Sequence, residues 1–161
     1  MTDPGLPAWV IEALDERRLP ASCLTVEVTE SPVTDADQPR AVLGPLRDHG
    51  VRISMDDFGT GYTSLSALPE LPLDELKIDE GFVRRSPTSP ADDAIVATMC
   101  DLGHRLGLTV VAEGVEDAEL ESRLVAHGVD LLQGYHLERP LPEAALLELV
   151  DSSGAAAVDP R

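Results

Sequence analysis

The sequence predicts a parallel α/β protein. Short apolar, β-rich runs take turns with longer stretches of helical spacing, and glycines sit where helices hand over to strands. A β-sandwich would instead show many short strands with tight turns and no helical period between them.

The elements follow in order. A helix is expected over Pro7 to Arg18, where Trp9 and its neighbouring leucines read as a packing stripe facing the core. Strand runs are LTVEV (Leu24 to Val28), VRISM (Val51 to Met55), LDELKI (Leu73 to Ile78), LTVVA (Leu108 to Ala112) and VDLL (Val129 to Leu132). Helices are expected between them at Ala36 to His49, Asp92 to Leu106 and Asp117 to His127, with a last one at Glu143 to Val150. Gly50, Gly107 and Gly128 each end a helical stretch just ahead of a strand, the place of a left-handed cap. Ser86, Pro87, Thr88, Ser89 and Pro90 read as a surface loop, and residues 151–161 as a disordered tail behind a single domain of residues 1–150.

Composition narrows the function. The chain has 161 residues, 43% of them hydrophobic and 26% charged, enough for one core. Its 30 acidic against 12 basic residues give a net charge of −18, which repels polymeric nucleic acid and anionic membrane surfaces. Aromatic residues make up only 3%, too few to build stacking platforms for single strands. Cys23 and Cys100 lie far apart with neither metal-finger nor disulfide-framework spacing, and the first twenty residues have no export signal, so a cytoplasmic protein is expected.

Polar groups collect where strands end. Glu27 and Glu30 belong to the first run, Asp56 and Asp57 to the second, Lys77 and Asp79 to the third, Glu113 and Glu116 to the fourth and Gln133 to the fifth. The carboxyl ends of parallel strands share one rim, in barrels and open sheets alike. Acids crowded there call for a cation, and an all-oxygen set suits Mg²⁺ or Mn²⁺ better than zinc. Adjacent residues point to opposite faces of a strand, so Asp56 and Asp57 can serve one site only where the strand ends; Gly59 and Gly61 of the following FGTGY supply the turn. Lys77 is the only lysine in a chain whose other basic residues are arginine, so a compact ammonium charge is wanted there.

Each signal also has an ordinary reading. Asp56-Asp57 can be a turn signal, Lys77 a solvated side chain, Glu27 an outward residue of an alternating strand, and Glu113-Gly114 a turn. Their coincidence at successive strand ends argues for a site. His49, His104, His127 and His136 are scattered, three of them at helix ends where a histidine complements the dipole, and none is assigned chemistry.

TVEVTES, ISMDDFGTGYTSL, LKID, VVAEGVE and QGYHLERP, in this order and spacing, resemble the carboxyl-terminal two-thirds of the EAL domain, a family of cyclic-di-GMP phosphodiesterases. The resemblance spans about Leu6 to Val150 and implies a modified (β/α)8 TIM-like barrel with divalent metals at its mouth. By that resemblance Glu27, Asp56 and Asp57 are metal ligands, Lys77 contacts the water at the metals, and Glu113 is a ligand or base. Glu30 and Glu116 resemble supporting acids, and Gln133 the glutamine bordering water and substrate, while Thr63 stands where serine is commoner. The implied reaction is two-metal hydrolysis of cyclic-di-GMP to linear pGpG.

A complete barrel of this kind takes about 250 residues, so an incomplete one of about five strands is expected. The tripeptide Glu12-Ala13-Leu14 lies in the amphipathic stretch WVIEALDERR, too close to Glu27 to be the family's signature. Five parallel strands leave open edges and, by expectation, an uncovered apolar face. A homodimer, a complementing EAL- or GGDEF-type chain, or a degenerate module that binds nucleotide or protein without catalysis are the resulting alternatives, with an isolated chain expected to be inactive.

Overall fold

The computed structural model describes residues 3, 5–29, 37–61 and 68–152. Glu30, Tyr62, Thr63 and the tail from residue 153 onward lie outside the described residues.

Five parallel strands form one sheet in chain order: β1 (Thr25–Thr29), β2 (Arg52–Phe58), β3 (Glu75–Ile78), β4 (Thr109–Ala112) and β5 (Leu131–Leu132). Every strand pairs with its predecessor, and the sheet does not close: β1 and β5 are its two edges. The helices are α1 (Leu6–Arg17), α2 (Asp37–Asp48), α3 (Glu80–Arg85), α4 (Pro90–Arg105), α5 (Ala118–His127) and α6 (Glu143–Ser152).

Local chemistry sets the helix limits. Ser89 caps α4 by accepting from the Asp92 N–H (3.2 Å), with Pro90 in the first turn where its missing N–H costs nothing. Asp117 caps α5 through the Leu120 N–H (2.8 Å). Gly50, Gly107 and Gly128 have φ of 101°, 74° and 88°, in keeping with the expected left-handed caps. Helix α3 is an addition to the sequence reading: six residues with a glycine show no period, but Asp79 caps it by accepting from the Gly81 N–H (3.0 Å). Asp151 and Ser152 continue α6 beyond its predicted end.

The two faces of the sheet differ in kind. Ile53, Met55, Leu76, Ile78, Val110 and Ala112 alternate onto one face and join the core with Leu43 and Leu46 of α2, Val96 and Met99 of α4, and Leu120 and Leu124 of α5. The register places Thr25, Glu27, Ser54, Glu75, Lys77 and Thr109 on the other. The face the helices leave free is therefore polar across β1 to β3, contrary to the sequence expectation there, because alternation sends the acids and the lysine to it, while Val111 and Leu131, in register with Lys77, make it apolar toward the ends of β4 and β5. Trp9 also departs from expectation: it is 67% exposed. Pro7 and Leu14 are the buried positions of α1, and Trp9 lies about 200° around the helix from Pro7, off their stripe.

A carboxylate latch repeats on the amino-terminal side of the sheet. Asp74, just before β3, accepts from the Ile53 N–H of β2 (2.9 Å) and from Arg47 (3.0 Å). Asp130, just before β5, accepts from the Val110 N–H of β4 (2.7 Å) and pairs with His104 (3.0 Å). Each latch fixes the register of a strand against its predecessor. The short motifs LDEL and VDLL carry it, although the sequence shows no broader repeat.

Candidate functional site

Glu27, Asp56 and Lys77 project from three neighbouring strands, and Glu113 follows β4 directly, its N–H donating to the Ile78 carbonyl (3.3 Å). Lys77 is 5% exposed. Its Nζ lies 2.8 Å from Glu27 Oε1, 2.9 Å from Asp56 Oδ1 and 2.5 Å from Glu113 Oε1. Burial alone would lower the lysine pKa; the contacts with Glu113, Glu27 and Asp56 outweigh it and hold the ammonium well above the ordinary lysine range.

A bulge brings the two adjacent aspartates to one place. Met55 pairs with Leu76 and Phe58 with Ile78, so β2 carries one residue more than β3 across this interval. Met55 and Phe58 both stay in the core, while Asp56 and Asp57 between them leave it. Asp57 has φ of 53°, a left-handed conformation that aspartate tolerates better than most residues. The sequence reading expected the strand to end here; instead it continues to Phe58, and the extra residue performs the reorientation. The chain then turns, with the Thr60 N–H (3.2 Å) and hydroxyl (2.9 Å) donating to the Asp57 carbonyl. Gly59 occupies the third place of that turn at φ 98°, where a Cβ would lie 2.3 Å from Met99 Cε.

Asp56, Asp57 and Glu113 each offer a carboxylate oxygen within 4.8 Å of the others. Asp56 Oδ1 is buried and stands near Lys77 but outside hydrogen-bonding geometry, so it has no hydrogen-bond partner. Burial raises the Asp57 pKa above the usual carboxylate range, and the charges of Asp56, Asp79 and Glu27 push the same way against Lys77. An all-oxygen set with a buried acceptor lacking a donor fits a hard divalent cation. Three of the four expected ligands thus converge, and the fourth, Glu27, is held beside them by Lys77.

The remaining expected residues surround this centre. Asp79 caps α3 and bears electrostatically on Asp57. Glu116 is paired with Arg84 of α3 (2.7 Å), and no ion pair joins it to Lys77 among the described residues. Gln133 is exposed; its backbone receives the Val115 N–H (3.1 Å) and donates to the Ala112 carbonyl (2.9 Å). Gly134 permits this approach of the two loops, since a Cβ there would fall 2.1 Å from the Val115 carbonyl oxygen. Gly61 follows the turn after β2. Glu12 of the Glu12-Ala13-Leu14 tripeptide is exposed on α1 rather than carried by a strand. Arg84 was not anticipated from sequence; its spacing four residues after Glu80, which it also contacts (3.5 Å), marks only an ordinary helix-surface pair.

A family model described as EAL domain matches residues 1–140. The chain belongs to the EAL domain family. It is similar to the bifunctional diguanylate cyclase/cyclic di-GMP phosphodiesterase MucR of Pseudomonas aeruginosa, 46% identical over 147 residues, covering 91% of this chain and 22% of the relative. The EAL domain of Mycobacterium smegmatis DcpA superposes with a TM-score of 0.89 at 37% identity, over 94% of this chain and 68% of that one. The manganese/cy-diGMP complex of Klebsiella pneumoniae BlrP1 gives a TM-score of 0.73 at 40% identity, over 80% of this chain and 33% of that one. The chain spans only 16% and 22% of the length of the curated relatives YkoW and MucR. Within the EAL fold the open five-stranded sheet is an incomplete TIM-like barrel. No helix among the described residues is long and apolar enough to cross a membrane.

Proposed function

We propose that this EAL chain carries a metal-dependent site for cleaving cyclic-di-GMP to linear pGpG. The observation that carries the proposal is the convergence of Asp56, Asp57 and Glu113 within 4.8 Å, beside a lysine buried among acids. Asp56, Asp57 and Glu113 would hold the ion, with Glu27 adjacent. A bound Mg²⁺ or Mn²⁺ would supply charge neutralisation at the phosphodiester and a lowered pKa for the attacking water. The relatives' names support this reading, as do the manganese and cy-diGMP of the BlrP1 complex.

The chain's own groups have separable tasks. Lys77 stays protonated and presents positive charge to an anionic phosphate at the strand ends. Glu113 Oε1 is committed to the ammonium, which favours the ligand role for this residue over that of free base. The bulge at Asp57 and the turn at Gly59 fix where the aspartates stand. Gln133 and Glu116 line or brace the mouth in this reading, Glu116 through Arg84 and the 113–116 loop. Net charge of −18 agrees with metal ions rather than basic side chains meeting the phosphates, and two free cysteines agree with a reducing cytoplasm.

A second reading, a nucleotide-binding or interaction module without turnover, draws support from the open edges β1 and β5. In the catalytic reading those same edges are where a second copy or a complementing EAL- or GGDEF-type chain completes the barrel. Incubating the purified chain with cyclic-di-GMP and Mg²⁺ or Mn²⁺ decides between them, with Glu27→Ala and Lys77→Ala as controls and particle size followed by light scattering. Production of pGpG that both substitutions abolish supports the enzyme; a ligand-induced rise in melting temperature without product supports the binding module. Product formation indifferent to both substitutions would refute the proposed site.

A further inference from the structure

Lys77 already binds two of the carboxylates that a divalent cation would use. Its Nζ contacts Asp56 and Glu113, two members of the converging group, and anchors to Glu27 outside that group. An ammonium has three N–H donors, and three carboxylates from three parts of the chain surround this one. Asp57 is the member of the converging group with no ion pair to Lys77 among the described residues.

We propose that Lys77 is the resident cation of this site: it holds Asp56 and Glu113 until a divalent ion takes them, and Glu27 then retains it. Metal binding is an exchange of one cation for another, and the lysine sets its affinity. The inference rests on the reading of Asp56, Asp57 and Glu113 as metal ligands and adds the regulation of that site.

Two opposing effects decide the direction. Lys77 gathers the carboxylates, which favours a metal, but it also places a like charge beside the incoming ion, which opposes one. Gathering is largely done by the backbone. The bulge fixes Asp56 and Asp57, and the hydrogen bond from the Glu113 N–H to the Ile78 carbonyl (3.3 Å) fixes the start of the next loop. Opposition therefore prevails, and removing the ammonium tightens metal binding even as it loosens the protein.

The sole lysine makes the test direct, because ε-¹³C-lysine labelling yields one side-chain resonance from the whole chain. Adding Mg²⁺ to the wild-type protein is expected to shift that resonance with the midpoint that calorimetry gives for Mg²⁺ binding. In parallel, Lys77→Met, which keeps length and removes charge, is expected to bind Mn²⁺ at least tenfold more tightly by electron paramagnetic resonance of the free ion. Its melting temperature without metal is expected to fall and to recover when Mn²⁺ is added. A lysine resonance unmoved while Mg²⁺ binds, or a folded Lys77→Met that binds Mn²⁺ no better than wild type, overturns the inference and leaves the ligand assignment standing. Absence of metal binding in both proteins overturns the ligand assignment as well. Should Lys77→Met fail to fold, the wild-type titration alone decides. Neither readout involves nucleotide, so the outcome is independent of the hydrolysis assay.

Discussion

Gly59→Ala tests whether the turn after β2 is as constrained as its geometry indicates. At φ 98° an alanine pays for a left-handed backbone, which costs roughly 1–2 kcal/mol. Its Cβ would also fall 2.3 Å from Met99 Cε and 3.1 Å from Phe82 Cε2. Met99 Cε is the end of a flexible side chain and can move, at a cost of about 0.5–1.5 kcal/mol for leaving its rotamer. The sum is about 1.5–3.5 kcal/mol, and for a chain of this size each kcal/mol lowers the melting temperature by about 2–4 °C. The expected fall is therefore roughly 3–14 °C, read by thermal and urea denaturation at neutral pH with chelator present. A double-mutant cycle with Met99→Ala separates the two contributions: the clash should disappear in the double variant while the backbone cost remains, giving a coupling of about 1 kcal/mol. A Gly59→Ala protein within ~0.5 kcal/mol of wild type, or a strictly additive cycle, would refute the argument.

Three further outcomes are expected. Cys23 is exposed and Cys100 buried, with burial pushing the Cys100 thiol up to about 11, so a thiol reagent at pH 8 should modify one cysteine quickly and the second only in denaturant; two fast equivalents would contradict the packing. Asp130→Ala removes the acceptor of the part-buried Val110 N–H and should cost about 1–3 kcal/mol in urea denaturation, whereas a neutral result would show that the latch does not set register. Asp93 has its pKa lowered chiefly by the hydrogen bond from His127, with burial opposing and Arg123 assisting. Its stabilising effect is thus present above the unfolded aspartate value of about 3.9 and is lost as pH falls through the lower folded value. Asp93→Asn should melt below wild type at pH 7 and converge with it in acid; a gap that persists at pH 2 would contradict the assignment.

Much of this architecture was legible because period and punctuation agreed. The fourth strand and the α5 helix were placed almost to the residue, since TVVA is β-branched and Asp117 and Gly128 mark both ends of the helix. Helix α3 escaped because six residues following directly on a strand carry too few positions to display a 3.6-residue period. Trp9 misled because a large apolar side chain suggests burial, while its angular position on α1 does not. At the site, residue types identified the acids and Lys77, but not the device that unites Asp56 with Asp57. A bulge is a property of pairing between two strands, so neither strand alone encodes it visibly. Arg84 was hidden for a related reason: its partner Glu116 lies on a different loop.

The strict order β1-β2-β3-β4-β5, in which each strand pairs with the one before it, also bears on how the chain is made. A ribosome releases residues at roughly 5–20 per second, and pairing is intrinsically slow when a strand must wait for a distant partner. From β2 onward, each strand emerges here after its partner, with the latches at Asp74 and Asp130 ready to seat β3 and β5 in register. The growing protein can thus add one strand and helix at a time to a template already in place, so that besides the β1 edge only the most recent strand is open to other nascent chains.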